Sequence, residues 1–336
     1  MVEVAILNVT GYAGLGAALL VEQHPDLRLA AVSGRSDAGK RLGDLFPFWP
    51  GANLRVEEQV PSVDLILCCL PHGAAAAAVA PHLAAGSRVV DVSADFRLHD
   101  SGVYRQWYGE HAAPELLDRA VYGLPELHAA AIAGASLVAN PGCYPTAAIL
   151  ALAPAIAAGI VELSVIVDAK SGISGGGRSL TLSNHFSEMD QSVHAYGLDG
   201  HRHLPEIKQE LSLLAGAPVD VLFTPHLIPM VRGLLATCYA RLRTLIAQED
   251  LMSLYRDYYA AAPFTRVVEA APRTKWCSGT NYCFVKPAVA HGGSHLVAMA
   301  AIDNLGKGAA SQAVQNANLL LGLPERAGLG QTPVFP

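Results

Sequence analysis

The pattern of apolar and polar positions changes character near the middle of the chain. Up to about residue 140, short apolar runs alternate with helix-prone stretches. "VEVAIL", a glycine turn and a helix from about Ala13 come first; "LRLAAVS", "VDLILCC" with the following "HGAAAAAVAPHLAAG", "RVVDVS" and "LVAN" continue the rhythm. Strand and helix in succession predict a parallel sheet with helices on both faces. A helix is predicted after Cys143, with Pro145 suited to its first turn and Gly159 to its end. Beyond it come strand-dominated segments, "LSVIVDA", "VDVLFTP", "LLATCYARL", "TRVVEA", "YCFVKPAVA" and "HLVAMAAID", with few helical stretches between them. They predict an α+β domain on a mixed or antiparallel sheet. The tail "NLGKGAASQAVQNANLLLGLPE" reads as a helix after Gly306 whose apolar positions 310, 313, 314, 317, 320 and 321 share one face, suited to pack back on the first domain. Two domains are therefore expected, residues 1–143 with 306–336, and residues 144–305.

Composition agrees with two domains and narrows the partners. A chain of 336 residues, 51% hydrophobic, can bury two moderate cores. Charged residues make up 15% and the formal net charge is −6, so no basic excess exists to follow nucleic acid or an anionic membrane. Small molecules are the expected partners. The longest nearly unbroken apolar stretch, Ala147 to Val161, contains Pro154 and stops at Glu162, short of the roughly 18 to 20 residues of a membrane span. A strand beginning at Val2 leaves no basic leader ahead of it, and the six cysteines (Cys68, Cys69, Cys143, Cys238, Cys277, Cys283) form no CxxC pair. A cytoplasmic protein with reduced thiols is expected.

The first turn, "AILNVTGYAGLG", could bring the backbone of Thr10, Gly11, Tyr12, Ala13 and Gly14 close to a pyrophosphate at a helix N-terminus. Asn8 holds the place of the usual first glycine, and Asn tolerates left-handed backbone better than most residues. Helix packing alone is the plainer reading of these glycines. The second strand ends in "AAVSGRSDAGK", where Ser33, Arg35 and Ser36 offer donors, Lys40 offers charge, and the strand end lacks an acidic residue. That composition suits a ribose 2′-phosphate, and so NADP over NAD; an ordinary polar loop is the alternative.

In "NPGCYPT", Cys143 follows a strand and precedes a helix, beside Asn140 with its side-chain donor. A helix N-terminus favours the thiolate, the nucleophilic form, whereas most cysteines are buried as small hydrophobes, as Cys68 and Cys69 are expected to be. A proton-handling partner is offered by "HAYGLDGHRHLPEIKQEL", which holds His194, Tyr196, His201, Arg202, His203 and Glu206. On an extended segment, histidines two apart point to opposite sides, so one of His201 and His203 is expected to face the thiol. Zinc wants three or four ligands at recognisable spacing, and HxH with one glutamate is a poor match, so no metal is expected. Surface histidines are the bland reading. "KSGISGGGR" is a glycine-rich loop containing Ser171, Gly172 and Gly175, and "DVSADFRL" puts Arg97 just past a strand end, where an ion pair to Asp95 or Asp100 would be its structural role.

Taken together, "NPGCYPT", "KSGISGGGR", "HRHLPEI", "DVSADFRL", "YGLPEL" and "DNLGKGAASQAVQNAN" resemble the N-acetyl-gamma-glutamyl-phosphate reductase family, related to aspartate-semialdehyde dehydrogenase, in order from residue 4 to about 322. Family members usually carry a glycine where Asn8 stands, and an acidic residue followed by leucine at Gly16 and Ala17. The resemblance implies a Rossmann-type parallel-sheet NADP-binding α/β domain and an α+β catalytic and dimerisation domain. It implies NADPH-dependent reductive dephosphorylation of N-acetyl-gamma-glutamyl phosphate in arginine biosynthesis, with release of inorganic phosphate, by a homodimer or homotetramer. Cys143 would form the thioester, and His203, with His201 as alternative, would move protons. Arg97 and Asn140 would meet the phosphate or oxyanion, with Tyr196 and Glu206 as further pocket residues. Ser171, Gly172, Gly175 and Asn304 would hold the nicotinamide side. The rivals are a reductase of an acylated aminoadipyl or aspartyl phosphate, a cysteine hydrolase or acyltransferase without nicotinamide, and a non-catalytic NADP-binding regulator; a single methylene is worth only about 1–3 kcal/mol of discrimination.

Overall fold

The computed structural model describes residues 1–49 and 52–335. Its contacts divide the chain into two units, Met1–Pro141 with Ala309–Gly330, and Gly142–Gly308 with the residues from Gln331 on. The first contains β1 (Val2–Leu7), α1 (Tyr12–Glu22), β2 (Leu27–Ser33), α2 (Leu42–Leu45), β3 (Val56–Glu57), β4 (Leu65–Cys68), α3 (Ala75–Ala84), β5 (Arg88–Asp91), α4 (Ser101–Tyr108), β6 (Ala120–Tyr122), α5 (Pro125–Ala133) and β7 (Leu137–Ala139). All its strand pairs are parallel, in the order β3-β2-β1-β4-β5-β7-β6. The central strand β4 is apolar and buried at every position, as expected of a strand covered on both faces. Val4 and Ile6 of β1 join a core with Ala17, Ala18 and Val21 of α1. The alternate residues, Ala5 and Leu7, join a separate core with Ala75, Ala76 and Val79 of α3.

The second unit contains α6 (Cys143–Ala157), β8 (Val161–Gly172), α7 (Phe186–Met189), β9 (His194–Ala195), α8 (Leu204–Ala215), β10 (Asp220–Ile228), β11 (Leu234–Leu242), α9 (Gln248–Tyr258), β12 (Thr265–Val267), β13 (Cys283–Ala290) and β14 (His295–Ile302). Its seven strands form a mixed sheet, β12-β13-β14-β11-β8-β10-β9. The helix α6 is buried at every position from Tyr144 to Ile156, as expected of one that is apolar on all sides, and it packs against β8, β11, β13, β14, α8 and α9. On the other face of the sheet, Leu222, Ile166, Tyr239 and Val297 stand opposite one another across four adjacent strands. The first three are 61%, 44% and 36% exposed.

The final helix, α10 (Ser311–Leu320), belongs to the first unit, where Ala313, Ala317 and Leu320 share a core with β1 and α1. Its polar positions Gln312, Gln315, Asn316 and Asn318 are buried as well, beyond what the apolar stripe implied. Burial is tolerated through hydrogen bonds. Asn318 Oδ1 meets His24 Nε2 at 3.0 Å, Asn316 Nδ2 donates to Gly123 O at 2.8 Å, and Gln315 Nε2 donates to Glu325 Oε1 at 2.7 Å.

Two sequence expectations change. The division falls before Gly142 and after Gly308 rather than after Cys143 and before Gly306, because Cys143 already belongs to α6 and α6 packs on the second sheet. The stretch expected to be strand-dominated also carries two long amphipathic helices, α8, burying Ile207, Glu210 and Leu211, and α9, burying Leu251, Met252 and Tyr255. Among the described residues, no helix is long and apolar enough to cross a membrane.

Candidate active site

In the first unit, Asn8 closes β1 at φ 64°, and its Nδ2 donates to Cys69 O at 2.8 Å. A Cβ on Gly14 would lie 2.2 Å from Asn8 O, so only glycine lets α1 start this close to the strand end. No side chain caps the start of α1, leaving the amides of Tyr12, Ala13 and Gly14 as a positive terminus of the kind that accepts phosphate. Beside it lies a cavity of about 990 Å³, lined by Asn8, Ser33, Arg35, Ser36, Glu58 and His82 among others. It opens where the strand order reverses between β1 and β4, the usual ligand crevice of such sheets. Lys40 is not part of this lining; its Nζ pairs with Asp37 Oδ1 at 2.9 Å, and Ser36 Oγ donates to Asp37 Oδ2 at 3.2 Å. Glu58, just past β3, carries no motif that would have drawn attention to it.

Arg97 and Asn140, also in the first unit, are brought together and are 4% and 0% exposed. Arg97 Nε donates to Asn140 O at 2.8 Å and Nη2 to Val92 O at 2.7 Å. Asn140 Nδ2 donates to Ala309 O at 3.3 Å, and its Oδ1 accepts from Asn316 Nδ2 at 2.9 Å. These contacts hold the end of β7 and leave both side chains buried. Asp95 accepts from the backbone N–H groups of Gly73, Ala75 and Ala76 at the start of α3, a helix-capping role.

In the second unit, Cys143 is the first residue of α6, half-buried, and Gly142 ahead of it provides no side-chain cap. The next side chain, Tyr144, is the hub of an aromatic cluster. Its ring centroid lies 5.6 Å from His201, 5.9 Å from His203 and 5.4 Å from Phe223. Tyr196 stacks edge-on at 5.5 Å from His201, and Tyr196 Oη donates to Tyr144 Oη at 3.2 Å, which in turn donates to His226 O at 3.1 Å. Burial, then Tyr196, then Cys143 push the Tyr144 phenol up. Tyr196 is pushed up to about 12, chiefly by burial and further by Cys143. Both phenols therefore stay protonated near neutral pH.

The two histidines do not point to opposite sides. Residues 201–203 form a turn rather than a strand, and the rings sit 4.9 Å apart, both against Tyr144. His201 Nδ1 accepts the backbone N–H of His203 at 3.0 Å, which assigns the neutral ring's proton to Nε2. Burial, reinforced by Arg202, lowers His201 to about 4. His201 is thus a neutral Nε2–H donor near pH 7. Glu206, 1% exposed on the first turn of α8, accepts the N–H of Gly142 at 2.8 Å.

The glycine loop is built as a closed unit. Asn304 Nδ2 donates to Ser174 Oγ at 2.9 Å and its Oδ1 accepts from Gly233 N at 2.7 Å. A Cβ on Gly172 would lie 2.8 Å from the carbonyl oxygens of Met230 and Val231, and one on Gly175 would lie 3.1 Å from Ser171 Oγ. Ser171, Gly172, Gly175 and Asn304 are therefore neighbours. Tyr144, Phe223 and His226 were not singled out in the sequence; only the aromatic directly after the cysteine was a usable local signal. Among the described residues, no group of three or more His, Cys, Asp or Glu is placed to hold a metal ion.

Fold and site together define the semialdehyde dehydrogenase class. Residues 3–135 match the model described as semialdehyde dehydrogenase, NAD binding domain, and residues 143–304 the one described as semialdehyde dehydrogenase, dimerisation domain. Relatives named N-acetyl-gamma-glutamyl-phosphate reductase are similar over their whole length, at 49% identity in Dehalococcoides mccartyi, covering 99% of both chains, and at 45% in Pelotomaculum thermopropionicum, covering 100% of this chain and 99% of the relative. Among solved structures, aspartate semialdehyde dehydrogenase II of Vibrio cholerae, complexed with ASA, aligns at TM-score 0.73 and 20% identity, covering 96% of this chain and 98% of that one. The Candida albicans aspartate semialdehyde dehydrogenase with NADP aligns at TM-score 0.72 and 14% identity, with the same coverage. The chain belongs to the N-acetyl-gamma-glutamyl-phosphate reductase family.

Proposed function

We propose that this protein catalyses the NADPH-dependent reductive dephosphorylation of N-acetyl-gamma-glutamyl phosphate to N-acetylglutamate 5-semialdehyde, in arginine biosynthesis. The observation that carries the reading is Cys143 at the start of α6, with two histidines and the Tyr196 phenol gathered around the adjacent Tyr144. The helix start favours the thiolate. Its sulfur attacks the acyl carbon, the carbon–oxygen bond to phosphate breaks, and inorganic phosphate leaves. A thioester remains, a better hydride acceptor than a carboxylate. When bound, NADPH supplies the hydride. The resulting thiohemiacetal then collapses to the aldehyde and returns the thiolate. His203 is assigned the proton work: it takes the thiol proton, lends it to the tetrahedral oxygen, and takes it back on collapse. His201, held neutral with its proton on Nε2, suits an oxyanion donor better than a base.

The uncapped start of α1, the Gly14 cradle and the neighbouring cavity fit the pyrophosphate and adenosine half of NADP, with Ser33, Arg35 and Ser36 for the 2′-phosphate. Ser171, Gly172, Gly175 and Asn304 are assigned to the nicotinamide side. Arg97 and Asn140 are assigned to support of the chain leading to Cys143. The exposed apolar row Leu222–Ile166–Tyr239–Val297 is assigned to self-association as a homodimer or homotetramer. No cysteine forms a disulfide, in keeping with a cytoplasmic enzyme.

The test is the reverse reaction, NADP reduction with N-acetylglutamate semialdehyde and inorganic phosphate. It should require phosphate and vanish after iodoacetamide treatment, with Cys143→Ser lowering turnover by several orders of magnitude. Phosphate-independent turnover, or a Cys143→Ser enzyme of near-normal rate, would overturn the reading. The aminoadipyl and aspartyl analogues should be poorer substrates.

A further inference from the structure

One buried carboxylate has no role in the chemistry just described. Glu206 stands at the third position of α8, is 1% exposed, and accepts the N–H of Gly142 through Oε1. A glutamate at this place ordinarily turns back onto the N–H of the residue that caps its own helix. Here that residue is His203, whose N–H is held instead by His201 Nδ1 at 3.0 Å. Glu206 instead reaches across to the residue on which α6 begins. A carboxylate this deeply buried requires hydrogen bonds and favourable dipoles, and two helix N-termini supply them. The same side chain therefore ties the start of the helix bearing Cys143 to the start of the helix that follows His203.

We propose that Glu206 is a positioning residue that fixes Cys143 against His201 and His203, rather than a ligand of the acyl phosphate. The proposal rests on Cys143 being the nucleophile. A thiol one residue from an untethered Gly142 drifts from the histidines, and a reacting atom displaced by about 1 Å costs about a hundredfold in rate.

The experiment compares Glu206→Ala, Glu206→Gln and Cys143→Ser in the full-length enzyme. It reads kcat, the KM for the acyl phosphate, the pH profile of Cys143 alkylation by iodoacetamide followed by mass spectrometry, and thermal unfolding. Glu206→Ala should lower kcat about a hundredfold with KM changed by no more than about threefold, and should slow alkylation. Glu206→Gln keeps an oxygen that can accept the Gly142 N–H and should recover kcat to within about tenfold of wild type. A raised KM at unchanged kcat would make Glu206 a substrate ligand and overturn the proposal. So would a Gln variant that melts like wild type yet is as slow as the Ala variant. If the Ala variant does not fold, Glu206→Asp replaces it: Asp keeps the charge but lacks the reach, and should be slower than Gln, the reverse order refuting the tether. Cys143→Ser separates the two levels. If it retains turnover, the nucleophile is wrong; if it is dead while Glu206→Ala is unimpaired, only the role of Glu206 falls.

Discussion

Gly308→Ala probes how closely the backbone is packed around Cys143. Gly308 lies within a widened π-type turn, Gly306–Ala310, and its N–H bonds Asp303 O at 2.9 Å. Such turns are frequent at functional sites. A methyl at Gly308 would lie 2.7 Å from Cys143 Cβ and 3.3 Å from both Cys143 Cα and Asp303 O. Carbon atoms in contact prefer about 3.5–4.0 Å, so the turn and the start of α6 must part by about 1 Å. Overpacking of this kind costs roughly 1–3 kcal/mol of stability, a fall in Tm of roughly 2–10 °C for a unit of this size. The kinetic cost is larger in proportion: about 1 Å at the reacting sulfur is worth about a hundredfold in kcat. The assay is steady-state kcat and KM in the forward direction, the alkylation rate of Cys143, and a melting curve on the same preparation. A variant that folds, alkylates and turns over within about threefold of wild type would refute the idea that this turn sets the position of the thiol.

The other predictions concern protons, cofactor choice and assembly. His203→Gln should lower kcat by roughly a hundredfold to ten-thousandfold, and a smaller loss than that of His201→Gln would reverse the assignment of roles. Because His201 is lowered to about 4 in the folded protein and titrates near 6.5 when unfolded, the unfolded state binds the extra proton first. The stability His201 contributes is complete above about pH 6.5 and is lost as pH falls toward about 4. Urea melts across that window should show His201→Gln flattening the loss; an unchanged slope would refute it. Arg35→Ala should raise KM for NADPH more than for NADH, and equal changes would remove the case for the 2′-phosphate. Ile166→Glu, placed in the middle of the exposed apolar row, should reduce the mass seen by light scattering to that of a smaller assembly, and an unaltered mass would move the interface elsewhere.

Local grammar carried much of this. The strand–glycine turn–helix opening could be read because β1 is apolar at consecutive positions and a glycine is obligatory at 14. Cys143 was visible because a proline- and glycine-bounded turn before a helix is a short-range feature. What could not be read depends on contacts between distant segments. The aromatic cluster draws on Tyr144, His201 and Phe223, from a helix, a turn and a strand, and no periodicity links them. His201 and His203 seemed to diverge only because a strand was assumed; one backbone hydrogen bond in a turn puts both rings on the same side. The apolar stripe of α10 was legible, but the burial of its polar positions was not, because their amides find partners far away in sequence. Lys40, which offers positive charge in the sequence, pairs in the fold with Asp37, three residues earlier.

The same distinction between local and distant determinants applies to the reactive sulfur. The short motif from Asn140 to Cys143 points to the proposed nucleophile but does not immobilise it. Asn140 N–H bonds Asp91 O at 2.8 Å, its carbonyl takes Arg97, its side-chain oxygen takes Asn316, and two residues on, the N–H of Gly142 takes Glu206. The four partners come from β5, the segment after it, α10 and α8, all of them more than 40 residues away from the group they hold. Catalytic groups function only when held within about 0.5 Å of their working geometry. Each of these bonds is buried, so breaking one leaves an unsatisfied polar group at a cost of about 1–3 kcal/mol, and the chain leading to the thiol has no inexpensive alternative conformation. The chemistry proposed for Cys143 would therefore reside in one residue, whereas the position of that residue is set by side chains distributed along the chain.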